Sequence, residues 1–455
     1  MRKWIRDLAC LNRYRKKRKL DDMPDIKYVS PAKAVQCVKS GDGVYFQGST
    51  AVPEILQQAL ADRWQELRDV KVYSAFCIPR GVAPFCKEEY RDSFIVRSLF
   101  LCADQRQWVA DGNGSVIPAF LGEIPFLFRS KQLPVNVAFI NCSLPDENGF
   151  CSYGISADLA VSAVESADYV VAQINKSIPY LYGGALIHIS KIHAAVECDI
   201  PPVAMEFGEP TEIERAIGNN IASEIPDGAT LQIGVGGIPN AVLNAIKHHK
   251  HLGLHTEAMT DGVVRLMEEG VIDNSLKKFR PGKSVGSLAL GSKHMYEFLH
   301  YNKDAEFYDV ALTNDPQVIR QNPKVMAINS ALEIDLTGQI CADSIGEKIV
   351  SSVGGQHDFM YGGALSEGGK TFIALPSATN KGKSKIVPTL TPGAGVVTTR
   401  FQAQYIATEY GIAYLRNKDI AQRAKALIAI AHPSAREELE KAACKRFGYS
   451  FLRLH

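Results

Sequence analysis

The chain has 455 residues, too many for one ordinary hydrophobic core, so two domains are expected. Hydrophobic residues make up 46% and charged residues 22%, ordinary for a globular protein, and a net charge of +2 gives no case for nucleic-acid binding. No apolar run approaches the roughly 18 residues that a membrane span requires.

The even charge breaks at the N-terminus. "RYRKKRKL" (13–20) is strongly basic and follows "WIRDLACL", whose Trp4, Leu8 and Leu11 fall on one helical face. Asp7 is present and serine is absent before residue 30, which argues against a targeting presequence. An amphipathic helix packed on the domain, with a solvated basic face, is the expected reading.

From residue 30 onward, strand, turn and helix patterns alternate, which predicts an α/β protein with mostly parallel sheet. "SPAKAVQCVKSGDGVYFQGSTAVPEILQQAL" (30–60) contains a helix, Asp42-Gly43, a strand, a small-residue turn and Pro53 opening a helix. "DYVVAQIN" (168–175) is a second strand candidate. "PTEIERAIGNNIASEIPDGATLQIGVGGIPNAVLNAI" (210–246) then echoes the first unit, with Asp227-Gly228 matching Asp42-Gly43, Gly234 matching Gly48 and Pro239 matching Pro53. Thr211 and Glu214 form a capping-box signature at its start. Two copies of one α/β unit explain the echo, with a boundary near residue 206 and domains of 1–205 and 206–455. "KTFIALPS" (370–377) reads as a further strand, and "KDIAQRAKALIAIA" (418–431) as a core helix ended by Pro433.

The 10 cysteines are scattered, with no C-x-x-C and no Cys/His cluster at ligand spacing. That fits reduced thiols in a cytoplasmic protein, and no disulfide or metal is expected even at Cys142 and Cys151. His248, His249 and His251 read as a polar helix end, because no carboxylate or cysteine accompanies them at metal-ligand spacing.

The turn "GVGGIP" (234–239) offers free backbone N–H groups at a helix start, suited to a phosphate or an oxyanion. Gly234, Gly236 and the later acid Glu257 come near a dinucleotide fingerprint, so a nicotinamide oxidoreductase is the alternative from another class. Two features count against it. Pro239 replaces the third glycine, and the matching turn at Gly48 has no equivalent acid behind it. Glu257, where a strand gives way to loop, points toward the crevice in which α/β sheets bind ligands. Glu367 reads as a loop residue, and Asp358 as one that caps or orients its loop.

Several longer motifs stand in a fixed order: "IGVGGIPNAV", "LGLHTEAMTDGVV", "AINSALEIDLTGQI", "SVGGQHDFMYGGALSEGGKTFIALPSAT" and "TEYGIAYLRNKDIAQRAKALIAIAHPSAREEL". With looser matches at "DENGFCSYGIS" and "INKSIPYLYG", the chain resembles the acetyl-CoA hydrolase/transferase family over about residues 25–450, nearest to its 4-hydroxybutyrate and butyrate:acetate CoA-transferases. The resemblance implies two CoA-transferase-type (NagB/RpiA-like) open-sheet α/β domains with the active site between them. It implies Glu257 as nucleophile, Asn329 and the Gly355 backbone as oxyanion donors, and CoA contacts at Gly234, Val235, Gly236, Gly237, Ile238, Gly354, Gly355 and Lys381. Lys383 and Lys385 lie close enough to Lys381 to compete for that last role. CoA and short-chain carboxylates are the implied substrates, with no permanently bound cofactor, no nucleic-acid or membrane partner, and a homodimer or higher homo-oligomer. Acyl-CoA hydrolysis is the alternative within the family. His357, Met360 and Tyr361 depart from the family pattern and bear on acyl preference.

Overall fold

The protein is described by a computed structural model covering residues 26–78, 80 and 83–454; the basic N-terminal stretch lies outside the described residues. Two open sheets organise it. The first has seven parallel strands: β1 (Gly43–Phe46), β2 (Val70–Ala75), β3 (Phe94–Phe100), β4 (Gly114–Val116), β5 (Val137–Cys142), β6 (Tyr169–Asn175) and β7 (Ala194–Cys198), in the order β7-β6-β5-β1-β2-β3-β4. The second has six strands: β8 (Thr230–Ile233), β9 (Gly253–Leu254), β10 (Val325–Ser330), β11 (Lys370–Ala374), β12 (Tyr405–Thr408) and β13 (Gly411–Tyr414), in the order β9-β8-β10-β11-β12-β13. Only the β12–β13 pair is antiparallel.

The sequence echo has a topological counterpart. β2-β1-β5-β6-β7 and β9-β8-β10-β11-β12 are the same five-strand arrangement, with β1 and β8 as the strands that run into the glycine turns. Both of these strands are buried along their whole length, as expected of parallel strands covered on both faces. The matched glycines do different work. A Cβ at Gly48 would lie 2.0 Å from the Ala75 carbonyl oxygen, so the chain itself fills that space; at Gly234 the nearest atom would be 3.8 Å away.

Helices α1 (Glu54–Ala61) and α2 (Ile124–Arg129) belong to the first half. In the second, α3 (Glu212–Ala222) begins with the expected capping box, Thr211 receiving the Glu214 N–H and Glu214 receiving that of Thr211. Gly218 lets α3 press against Ala241 of α4 (Gly237–Ala245), the close packing that a fingerprint glycine would otherwise supply at position 239. Next come α5 (Asp261–Glu268), α6 (Val310–Thr313) and α7 (Gln356–Leu365). The helix expected over 418–431 runs from Ile420 to Ala429, capped by Asp419 and Gln422. Pro433 does not end it. The helix closes at Ile430, and Pro433 opens the next one, Pro433–Phe447, where its fixed φ and missing N–H suit the first turn.

The two halves interlock. Tyr182–Gly183, from the first, pairs with Glu306–Phe307 of the second, and one hydrophobic core spans both, from Ile140 and Ile174 to Leu231 and Ile328. No helix among the described residues is long and apolar enough to cross a membrane. Cys142 and Cys151 are both buried free thiols.

Candidate active site

β9 hands Glu257 out of the main sheet. The strand ends at Leu254, and Ala258–Met259 then pairs with Leu288–Ala289 in a separate two-stranded sheet. Between them the Glu257 carbonyl accepts the N–H groups of Ser287 and Leu288, at 2.9 and 3.0 Å. The two residues before it are fully engaged. The Thr256 hydroxyl donates to the Ile233 carbonyl at 3.0 Å, tying Glu257 to the last residue before the glycine turn. His255 is buried, and its Nε2 lies 2.7 Å from the Thr313 carbonyl. Burial and the Lys277 charge depress its pKa to about 3, so the ring is neutral and Nε2–H donates to Thr313. Lys277, itself buried, donates to the Leu254 carbonyl at 2.6 Å. The backbone on which Glu257 stands is therefore fixed from three sides.

The Glu257 carboxyl lies at the N-terminus of α7, partly exposed. Asn314 Nδ2 donates to Oε2 at 3.0 Å, and the backbone N–H of Gly355, the N-cap of α7, is turned to the same carboxylate. Gly355 can be nothing larger: an added Cβ would sit 2.0 Å from Oε2. Burial raises the Glu257 pKa from 4.5 to about 7, with the Asn314 bond opposing, the Asp158 charge adding and the Gly355 N–H opposing. Asp158 comes from the first half, where its Oδ1 accepts the Ser156 hydroxyl at 2.9 Å. Beside it, Ala157 donates its N–H to the Ser287 carbonyl at 3.0 Å.

The first half reaches the site again through the segment before α2. Leu121 N–H donates to the Gly354 carbonyl at 3.1 Å, and Gly122 N–H to Asp358 Oδ2 at 3.1 Å. Gly354 has φ +58, and a Cβ there would meet the Phe100 ring at 2.9 Å. The residue after Glu257 joins an apolar cluster: Ala258, Leu288 and Leu290 pack with Phe76 and Ile78 of the first half and Val235 of the glycine turn. The site thus draws on both halves of the chain.

Not every residue singled out in the sequence meets Glu257. Gly355 does; Gly354 adjoins it. In the glycine turn, Gly236 has φ +131, open only to glycine, and a Cβ at Gly237 would collide with the Glu214 carboxylate at 2.0 Å. Gly236 faces open space and a Cβ at Gly234 would only touch the Ile328 carbonyl and Pro239, whereas Ile238 is buried in the core. Asn329, on β10, donates through Nδ2 to Gln232 Oε1 at 3.0 Å, not to Glu257. Lys381 is exposed in the turn closed by Ala378 and Ser384 and is not among the hydrogen-bond partners of Glu257. Lys385 is half-buried near Glu409, and burial lowers its pKa.

Three groups at the site had no strong signal in the sequence. Asn314 stands in "TNDP", which reads as an ordinary turn; Asp158 in "SADLA" carries no motif. Asp358, read as a loop-orienting residue, is buried in the first turn of α7 and holds Asn314. His357 stacks on Phe120 with ring centres 3.9 Å apart. His249 and His251 serve their own surroundings, bonding the Ile225 carbonyl and Asp273. Among the described residues no group of three or more His, Cys, Asp or Glu could hold a metal ion.

Known proteins match this chain over most of its length. The acetyl-CoA hydrolase/transferase N-terminal domain matches residues 13–205, and the C-terminal domain matches residues 291–443. A succinyl-CoA:acetate/propanoyl-CoA:succinate CoA transferase from Fasciola hepatica is 45% identical over 90% of this chain and 86% of its own. The 4-hydroxybutyrate coenzyme A transferase of Clostridium kluyveri is 42% identical over 92% of this chain and 98% of its own. The crystal structure of 4-hydroxybutyrate CoA-transferase from Porphyromonas gingivalis superposes with a TM-score of 0.79 at 38% identity, covering 92% of this chain and 98% of that one. Over nearly its whole described length, then, this chain belongs to the acetyl-CoA hydrolase/transferase family, as an enzyme that transfers CoA.

Proposed function

We propose that the enzyme moves CoA between short-chain carboxylates, with a four-carbon acyl-CoA (4-hydroxybutyryl or butyryl) as donor and acetate as acceptor, through a CoA thioester on Glu257. The observation that supports this reading is the Glu257 carboxyl, seated on the Asn314 amide and the Gly355 backbone N–H with no His, Ser or Cys among its hydrogen-bond partners. A carboxylate needs none. At pH 7 about half of a group titrating near 7 is already ionised.

Glu257 attacks the acyl-CoA carbonyl; the C–S bond breaks and a mixed anhydride remains, with CoA leaving as thiolate. The thiolate then attacks the glutamyl carbonyl, forming the enzyme–CoA thioester and releasing the first acid. Acetate runs the same steps backward. Serine or cysteine could carry the acyl group but not CoA, so the relay requires a side chain that itself becomes an acyl donor. Free N–H groups of Gly234 to Ile238, with Gly354, would hold CoA, and Lys381 would meet its phosphates. Asn329 and the Gly355 N–H would receive the oxyanion at the acyl carbonyl. In this reading residues 1–205 and 206–455 act as two domains with the site between them, and no cofactor is resident.

Intact-mass measurement after incubation with butyryl-CoA tests the mechanism: an adduct of one CoA on the peptide containing Glu257 is expected. Turnover without any such adduct would remove the relay. Turnover equal with and without acetate would make the enzyme a hydrolase.

A further inference from the structure

The proposed relay contains two tetrahedral centres, one on the acyl carbon and one on the glutamyl carbon. From the hydrogen bonds at Glu257 Oε2 we infer that Asn314 is a catalytic residue for the second centre, stabilising the oxyanion on the glutamyl carbon, with Asp358 as the positioning residue that aims it. This inference rests on the Glu257 relay described above.

Asn314 Nδ2 has two hydrogens and two acceptors: Glu257 Oε2 at 3.0 Å and Asp358 Oδ2 at 3.2 Å. The flipped amide would face two carboxylate oxygens with its own oxygen, so the orientation is fixed by charge. In the orientation observed, Oδ1 is buried without a hydrogen-bond partner. Such an orphan is tolerated only because the alternative is worse. Asp358 is 5% exposed and is held in turn by the Gly122 N–H, which donates to the same Oδ2 at 3.1 Å. Asn314 itself follows α6, whose N-cap Asp309 is bound by Arg129 at 2.6 Å, while His255 grips the adjacent Thr313 carbonyl.

Oε2 is the oxygen that lies against both Asn314 and Gly355, which leaves Oε1 to attack. It becomes the bridging oxygen of the anhydride, and Oε2 stays as the glutamyl carbonyl oxygen. When the CoA thiolate adds to that carbon, the C–S bond forms and the carbonyl electron pair moves to Oε2. The negative charge therefore develops on the atom that Asn314 already faces. Collapse restores the carbonyl and breaks the bond to the bridging oxygen, releasing the carboxylate. A donor in place before the charge appears needs no reorganisation.

The test uses the full-length enzyme with butyryl-CoA and acetate. Asn314→Ala should lower kcat by ~10²–10³ with little change in KM for butyryl-CoA. Its anhydride should also live longer before CoA recaptures it. Water then competes, and hydrolysis should rise relative to transfer. Asp358→Asn can keep both hydrogen bonds to one oxygen and should stay within about tenfold of wild type, whereas Asp358→Ala should fall well below it with the same rise in hydrolysis. If Asn314→Ala does not fold, the isosteric Asn314→Asp at pH 8 carries the same test. Either Asn314 variant within tenfold of wild type, or Asp358→Asn as impaired as Asp358→Ala, overturns the inference while leaving the Glu257 relay standing. Absence of a CoA adduct on the wild-type enzyme during turnover overturns the relay itself.

Discussion

Gly355 and Glu257 are in contact so close that no side chain fits between them: a Cβ on residue 355 would lie 2.0 Å from Oε2 and 2.4 Å from Asn314 Nδ2. The N-cap of α7 is thus also the floor beneath the Glu257 carboxyl. Gly355→Ala should displace Glu257 and cut kcat/KM by ~10²-fold or more, the scale of misplacing a reacting group by about 1 Å. Thermal unfolding should change little, since the site is partly open. Steady-state kinetics beside a melting curve check both.

Glu257 should tolerate no replacement. Glu257→Ala should be inactive and folded. Glu257→Asp withdraws the carboxyl by about 1.5 Å from Asn314 and Gly355 and should lose ~10²-fold or more in kcat. An active Glu257→Ala, assayed by exchange of labelled acetate into acyl-CoA, would remove the assignment.

Because Glu257 titrates near 7 and must be ionised to attack, kcat/KM should rise with pH below about 7 and level off above it. Asp158 raises the Glu257 pKa through its charge, so Asp158→Asn should move this acid limb to lower pH. A limb that stays in place would show that the Asp158 charge does not reach Glu257.

Stability carries the same signature. A carboxyl whose pKa is raised by folding, here from 4.5 to about 7, contributes stability at acid pH that is lost as pH climbs between those values. Glu257→Gln removes the ionisable group while keeping the shape. Its Tm should match wild type near pH 4.5 and exceed it at pH 8, by about 1–3 °C for this partly exposed group. Melting curves at the two pH values check the sign.

In the glycine turn, Gly236→Ala forces a side chain into φ +131, and Gly237→Ala drives a Cβ into the Glu214 carboxylate. The second change should also cost the α3 capping box, about 1 kcal/mol, whereas the first should act mainly on CoA affinity. Isothermal titration with CoA, read beside denaturant unfolding, separates the two effects.

Local chemistry was legible in the sequence because it depends on neighbours along the chain. The capping box at Thr211, the strands at 169–175 and 370–374, the repeated strand–turn–helix unit and the place of Glu257 just beyond a strand's end all follow from spacing and residue type. Pro433 shows the limit: the residue that stops one helix is equally suited to start another, and only packing chose. What holds Glu257 was illegible for a different reason. Asn314 is 57 residues away from it, Asp358 is bound by Gly122 at a separation of 236, and Asp158 acts from the other half by charge alone. Side chains that meet only when two sheets are folded against each other leave no periodic mark. Residue type and spacing were enough to single out Glu257; which donors it meets and where its pKa lies came only with the folded chain, because burial and hydrogen bonding are properties of the assembled site.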